Sequence, residues 1–205
     1  MKQLRQYIRQ ILLTEAAITP DDLHRENAIV YIAQGYGDGM EIYYATRDDV
    51  EPMEYANNLL LGTVYIDSFN FNGRCGGGWM VTSSEAKPGW GPLLYDVAME
   101  YATMNGGGLF PDRGSVSQSA RKVWDYYLNK RPDVTAHQLD DPRNSLTPTE
   151  EDNCDQEVAG GLNYEYSRAD EPENPDWMKS PISKRYTKKP IIINKLKQMG
   201  LLVEL

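Results

Sequence analysis

Residues 79–101 read WMVTSSEAKPGWGPLLYDVAMEY, and this stretch decides the fold. Trp79–Thr82 is a short apolar run, which predicts a strand. The apolar period then changes from 2 to 3.6. Leu94, Val97, Ala98 and Tyr101 form one stripe of a helix expected from about Pro92 to Met104, with Pro92 suited to its first turn. The linking loop, Ser83 to Pro92, carries Gly89 and Gly91. A strand that feeds a glycine turn and then a helix leaves backbone N–H groups unpaired at the helix start. Those donors, with the positive end of the helix dipole, suit a phosphate. The glycines let the backbone approach such a ligand closely. A single Gly-x-Gly before a helix is a weak sign alone, so the surrounding elements carry the argument.

Upstream, Ala28–Gln34 and Met40–Thr46 read as strands joined by the hairpin connection Gly35-Tyr36-Gly37-Asp38-Gly39. Leu59–Asp67 is a third strand and Trp79–Thr82 a fourth, after the Gly-rich turn Asn72–Gly78, which reads as a loose hairpin. Residues 2–17 have the helical stripe Leu4, Tyr7, Ile8, Ile11 and Leu12. Thr19-Pro20-Asp21-Asp22 is a cap-and-turn signature that opens a short helical turn. Downstream, Asn105-Gly106-Gly107-Gly108 ends the helix. Leu109–Pro111 is a brief strand. A second helix runs from about Val116 to Asn129 with Ser115 as N-cap. Arg131 to Lys179 is polar, acidic and Pro-rich, with one strand-like patch at Leu162–Tyr166. Lys189–Met199 closes the chain as a helix, with Pro190 in its first turn and Gly200 as its cap. The order of four strands, helix, strand and helix predicts an α+β fold, and no internal repeat is visible.

Composition narrows the function. The 205 residues are 40% hydrophobic, enough to bury a core. No apolar run approaches the roughly 18–20 residues of a membrane helix, and Arg5 and Arg9 interrupt any signal-peptide stretch. Two cysteines, Cys75 and Cys154, make no disulfide framework. His24 and His137 stand apart in sequence and read as surface residues, so no metal-ligand spacing is expected. A net charge of −9 argues against a general nucleic-acid binder. The charge is uneven: Leu139–Asp176 holds twelve acidic and two basic residues, and Lys179–Leu205 holds seven basic and one acidic. Either the two segments meet, or each is a solvated face.

The strand, loop and helix around Gly89 and Gly91 resemble motif A of the GNAT acetyltransferases, a strand followed by Arg/Gln-x-x-Gly-x-Gly/Ala and a helix. Val81 matches the apolar residue near the strand end, where the family pairs its backbone with the pantetheine arm. Ser117-Gln118-Ser119-Ala120-Arg121-Lys122-Val123-Trp124 resembles the family's Asn-x-x-Ala-x-x-Leu-Tyr helix. The resemblance spans about Ile29 to Leu128. It implies a mixed, mostly antiparallel sheet with a V-shaped splay between the fourth and fifth strands, flanked by helices. It divides the chain into a leader helix (1–17), an acyl-CoA-binding domain (18–130), and an acidic loop with a C-terminal helix that completes the domain (131–205). It also implies a site for acetyl-CoA or another acyl-CoA, with the pyrophosphate on backbone N–H groups from Lys87 through Pro88, Gly89 and Trp90 to Gly91. Val81, Ser117 and Trp124 would line the rest. The implied activity is transfer of the acyl group to an amine on a protein or small molecule, by direct attack on the thioester. Glu85 and Asp67 are base candidates by position, and Tyr127 the acid candidate; each has an ordinary alternative as a surface or capping residue. Asp112-Arg113 reads as a substrate-facing pair or a structural ion pair, and Tyr164 and Tyr166 as acceptor-side residues or simple strand alternation.

The departures are specific. Ala86 occupies the Arg/Gln position, with Lys87 as a substitute. Ser117 stands for Asn. Trp124 stands for the Tyr that protonates the departing thiolate, and an indole has an N–H but cannot act as that acid. The two helices the family places between its first strands are absent, since Gly35–Gly39 is only a hairpin.

Met1–Ala17, MKQLRQYIRQILLTEAA, resembles the capsid-targeting leaders of internal head proteins in large tailed phages, with Leu13-Thr14-Glu15 as the cut. That resemblance implies packaging in a virion, delivery to the host cytoplasm, and a capsid or host protein as partner. The ordinary alternative is an N-terminal helix packed on the domain. Two functions therefore stand side by side: an N-acyltransferase, and an inactive GNAT-fold virion or interaction protein.

Overall fold

The computed structural model describes residues 17–46, 61–70, 72–73, 77–112, 116–139, 154–155 and 179–205. Residues 2–16 of the expected leader helix, the patch Leu162–Tyr166 and Arg113 lie outside them.

The strands are β1 (Ala28–Gln34), β2 (Met40–Thr46), β3 (Gly62–Asn70), β4 (Asn72–Gly73), β5 (Gly77–Ala86), β6 (Leu109–Pro111), β7 (Val134–Gln138), β8 (Cys154–Asp155), β9 (Lys184–Lys188) and β10 (Leu202–Glu204). The helices are α1 (Pro20–Arg25), α2 (Gly91–Asn105), α3 (Gln118–Lys130) and α4 (Ile191–Gln198). Among the described residues the fold is α+β: a mixed, mostly antiparallel sheet in the order β10-β1-β2-β3-β5-β6-β9-β7, flanked by helices, with β4 and β8 as a separate pair. The expected fold class holds. The chain forms two compact units, Met1–Tyr65 with Ser83–Val97 and Ile192–Leu205, and Ile66–Thr82 with Ala98–Ile191. Both units draw on several stretches, unlike the sequential division at residue 130.

In the first unit β1 and β2 pair antiparallel from Ala28↔Thr46 to Gln34↔Met40, around the expected hairpin. The Gln34 side chain donates to the carbonyls of Gly37 and Gly39 and so ties the connection. β10 adds parallel to β1, from Val30↔Leu202 to Ile32↔Glu204. Alternation sends Val30, Ile32, Ile42 and Tyr44 to one face, where all are nearly inaccessible. The other face carries Tyr31 stacked on Tyr43, with centroids 5.2 Å apart. α4 ends at Gly200 as expected: Leu201 N–H donates to the Leu196 carbonyl and Gly200 N–H to the Lys197 carbonyl, a Schellman closure.

In the second unit β9 lies between β6 (Leu109↔Tyr186) and β7 (Val134↔Lys188 to Gln138↔Lys184). Met80, Phe110 and Leu139 form a core cluster with Phe69 against it. Trp124 stacks on Tyr186 at 5.2 Å. Glu100 and Lys188, both buried, form an ion pair. Gly107 (φ +83) passes so close to the Gly77 carbonyl that a side chain could not fit.

Several expectations need correction. The fourth strand runs Gly77–Ala86, well past Thr82. α3 begins two residues later than read, at Gln118, with Ser117 as N-cap accepting from Ala120 N–H, in place of Ser115. The segment from Arg131 begins with β7, and Lys184–Lys188 is a strand. Both strands are five residues long and mostly polar, which hides them from apolar periodicity.

Candidate functional site

The loop after β5 belongs wholly to the first unit. Lys87 N–H donates to the Leu61 carbonyl at 3.0 Å. Lys87–Trp90 is then a type II turn: Pro88 presets its own φ, Gly89 takes φ +86, and Trp90 N–H closes on the Lys87 carbonyl at 3.0 Å. Ile18 N–H donates to the Gly89 carbonyl at 2.9 Å. Tyr44 hydroxyl donates to the Trp90 carbonyl at 2.9 Å, and its ring meets Trp90 edge-on at 5.0 Å. Tyr44 is fully buried. Burial, and then the charge of Asp96, hold its phenol well above the ordinary range, so it remains a donor.

This geometry narrows the expected cradle. The carbonyls of Lys87, Gly89 and Trp90 all accept internal bonds. The N–H groups of Lys87 and Trp90 are also engaged, and Pro88 and Pro92 have none. The cradle is therefore not the whole run Lys87–Gly91. These contacts leave for a ligand the N–H groups of Gly89 and Gly91, with that of Leu93 in the first helical turn, where no intrahelical acceptor exists. With the exposed Lys87 side chain and the helix dipole, these donors fit a pyrophosphate. Ala86 sits against Gly62: a Cβ on Gly62 would lie 2.8 Å from the Ala86 Cβ.

β5 itself changes character at Val81. The strand pairs in parallel with β6 at Trp79↔Leu109, Met80↔Phe110 and Val81↔Pro111, and the ladder stops there. Gly78–Val81 are buried, whereas Thr82–Ala86 are all exposed. Trp79 packs edge-to-face on Tyr101 of α2. Ser84, an odd number of residues further on, also reaches α2: its Oγ lies 2.9 Å from Tyr95 Oη.

The remaining candidates fare unevenly. Lys87, Pro88, Gly89, Trp90 and Gly91 come together in the turn. Val81 is buried and paired with Pro111. Ser117 is exposed and caps α3. Trp124 and Tyr127 are core residues, 1% and 2% exposed. Trp124 is packed by Tyr186, and Tyr127 lies beneath the Arg131 guanidinium at 5.3 Å. Their shared helix stripe is the buried side of α3. Glu85 is exposed and lies in the first unit. Asp67 is half-buried in the second, and burial raises its carboxyl above the usual range. Sequence reasoning missed Tyr44, Ser84 and Tyr95. No motif marks them; only the alternation in β2 hinted that Tyr44 faces inward.

Among the described residues no helix is long and apolar enough to cross a membrane. The chain has no match among family models, curated proteins or solved structures.

Proposed function

We propose that the chain is an acyl-CoA-dependent N-acyltransferase. The observation that carries this reading is the Pro88-Gly89 turn: it joins an exposed strand end to a helix start, its carbonyls are tied inward, and its spare donors are N–H groups. Bound acyl-CoA would supply the thioester. An amine nitrogen attacks the thioester carbonyl carbon; the C–N bond forms, the C–S bond breaks, and the thiolate leaves with a proton to be returned to it. The chain's part is to hold the pyrophosphate on the Gly89, Gly91 and Leu93 N–H groups, and to take the ammonium proton. Glu85, which lies in the same unit as the turn, fits that base role.

A second reading has its own support. Tyr127, the acid candidate on α3, is only 2% exposed, and the position of the family's acid holds Trp124. That favours a GNAT-like protein without catalysis, acting as a packaged virion or interaction protein.

Calorimetric titration of acetyl-CoA and CoA tests the first reading, with Gly89→Glu as control. That substitution puts a bulky anion at a position of φ +86 beside the spare donors. Micromolar binding by the wild-type chain, lost in the variant, is the expected result. No binding at about 1 mM ligand, near −4 kcal/mol, rejects the enzyme reading and leaves the protein-partner reading standing.

A further inference from the structure

The chain has two cysteines, Cys75 and Cys154, far apart in sequence. The fold brings their neighbourhoods together. Within the second unit β4 and β8 pair antiparallel, Asn72 with Asp155 and Gly73 with Cys154. Partners in such a ladder have Cα atoms about 4.5–5.5 Å apart. Cys75 lies outside the described residues, but the chain bounds where it can be. It is two residues beyond Gly73, which ends β4, and two before Gly77, which opens β5. Two residues span at most about 7 Å. A disulfide takes a Cα separation of about 4.4–6.8 Å. That range overlaps the space open to Cys75 around Gly73. Glycine follows Cys75 directly, at Gly76, so the backbone there adjusts at little steric cost.

We infer that Cys75 and Cys154 are a redox-sensitive modification site, which forms a reversible disulfide between the acidic run and the glycine-rich turn before β5. This does not rest on the acyl-CoA reading. The oxidant is a low-molecular-weight disulfide of the glutathione type. One cysteine thiolate attacks a sulfur of that disulfide; a mixed S–S bond forms, the oxidant's S–S bond breaks, and one small thiol leaves with a proton. The other cysteine thiolate then attacks the protein sulfur of the mixed disulfide. The S–S bond between Cys75 and Cys154 forms, and a second small thiol leaves with a proton. The two cysteines give up two electrons and two protons, and the oxidant takes them. Charge sets the order of attack. Arg74 adjoins Cys75, whereas Glu151, Asp152, Asp155 and Glu157 flank Cys154. Glutathione disulfide is an anion, drawn to the first cysteine and repelled from the second. Cys75 therefore reacts first, and Cys154 resolves the mixed disulfide.

The test incubates the reduced full chain with mixtures of glutathione and glutathione disulfide, blocks remaining thiols with N-ethylmaleimide, and reads the intact mass. A non-reducing gel run beside it shows any link between chains. The expected product has lost both thiols, weighs about 2 Da less than the reduced chain, carries no glutathione, and migrates as a monomer. The same mixtures in denaturing urea are the control for the fold. There the equilibrium constant for the disulfide should drop about ten-fold or more, because only the folded chain holds the two segments at high effective concentration. Cys154→Ser should stop at a single glutathione adduct on Cys75. Three results overturn the inference: two thiols that persist, two glutathione adducts or a cross-linked dimer as the end product, or a disulfide as favourable in urea as in the folded chain. Since the wild-type chain decides each of these, no variant has to fold for the test to count.

Discussion

Gly62 and Ala86 meet with no space for another carbon between them. A Cβ on Gly62 would come within 2.8 Å of Ala86 Cβ and 3.0 Å of Leu94 Cδ1. Gly62→Ala should therefore lose about 1–3 kcal/mol of stability, as overpacking does. Urea unfolding measures the loss, and Ala86→Gly on the same chain should recover part of it. Ala86 was legible from sequence as a departure at the Arg/Gln position, but its neighbour was not, because the contact joins residues far apart in the chain. Gly89 was legible because Pro88-Gly89 is a turn signature with a physical cause. Ser84 and Tyr95 were not, because no motif marks the contact between them.

At the scale of elements, α2 departs most from its reading. The stripe Leu94, Val97, Ala98 and Tyr101 describes one face, yet every residue from Leu93 to Glu100 is buried. Asp96 and Glu100 lie off that stripe, yet both are enclosed. Glu100 is matched by Lys188 of β9, whose side chain is 2% exposed. Lys188→Met would leave a buried carboxylate without that cation, so it should cost about 3–5 kcal/mol. Lys188→Met with Glu100→Leu should return most of it, since a well-packed apolar pair does without the desolvation of two charges. Chemical denaturation of the three chains separates these outcomes. β7 and β9 were illegible for a related reason: the second unit holds them by pairing and by a few large side chains, not by a continuous apolar pattern. The Gly200 closure was readable because a helix stop is encoded locally.

For the whole molecule, the sheet class followed from element order, whereas the burial of the candidate site residues did not. Element order depends on local periodicity; which face of α3 is covered depends on what packs there, and Tyr186 is the residue that hides Trp124. Stability against pH shows the same dependence on context. His137 read as a surface residue, but it is half-buried and its ring nitrogen pairs with Thr187 at 3.0 Å. Burial, with Arg185 nearby, holds its pKa below the usual 6.5. The unfolded chain therefore takes up a proton at a pH where the folded chain does not. Stability should fall as pH drops through about 6.5, then level off below the folded value. His137→Gln should flatten that part of the curve when unfolding is followed from about pH 7 to pH 5. Asp133 acts lower on the scale: its hydrogen bond from Arg131 depresses its carboxyl, and that stability is lost as pH falls through the depressed value. One consequence of the β5 geometry concerns solubility. A strand edge without a neighbour invites stray chains to add to it and begin an aggregate. Past Val81 the residues are Thr82-Ser83-Ser84-Glu85, without an apolar side chain among them, in a chain of net charge −9. A slender small molecule can lie along such an edge, while a second polypeptide finds no greasy surface to hold it there and a like charge that repels it. Among the described residues β6 pairs with β5 only as far as Val81, and the hydrophilic side chains beyond it disfavour such additions.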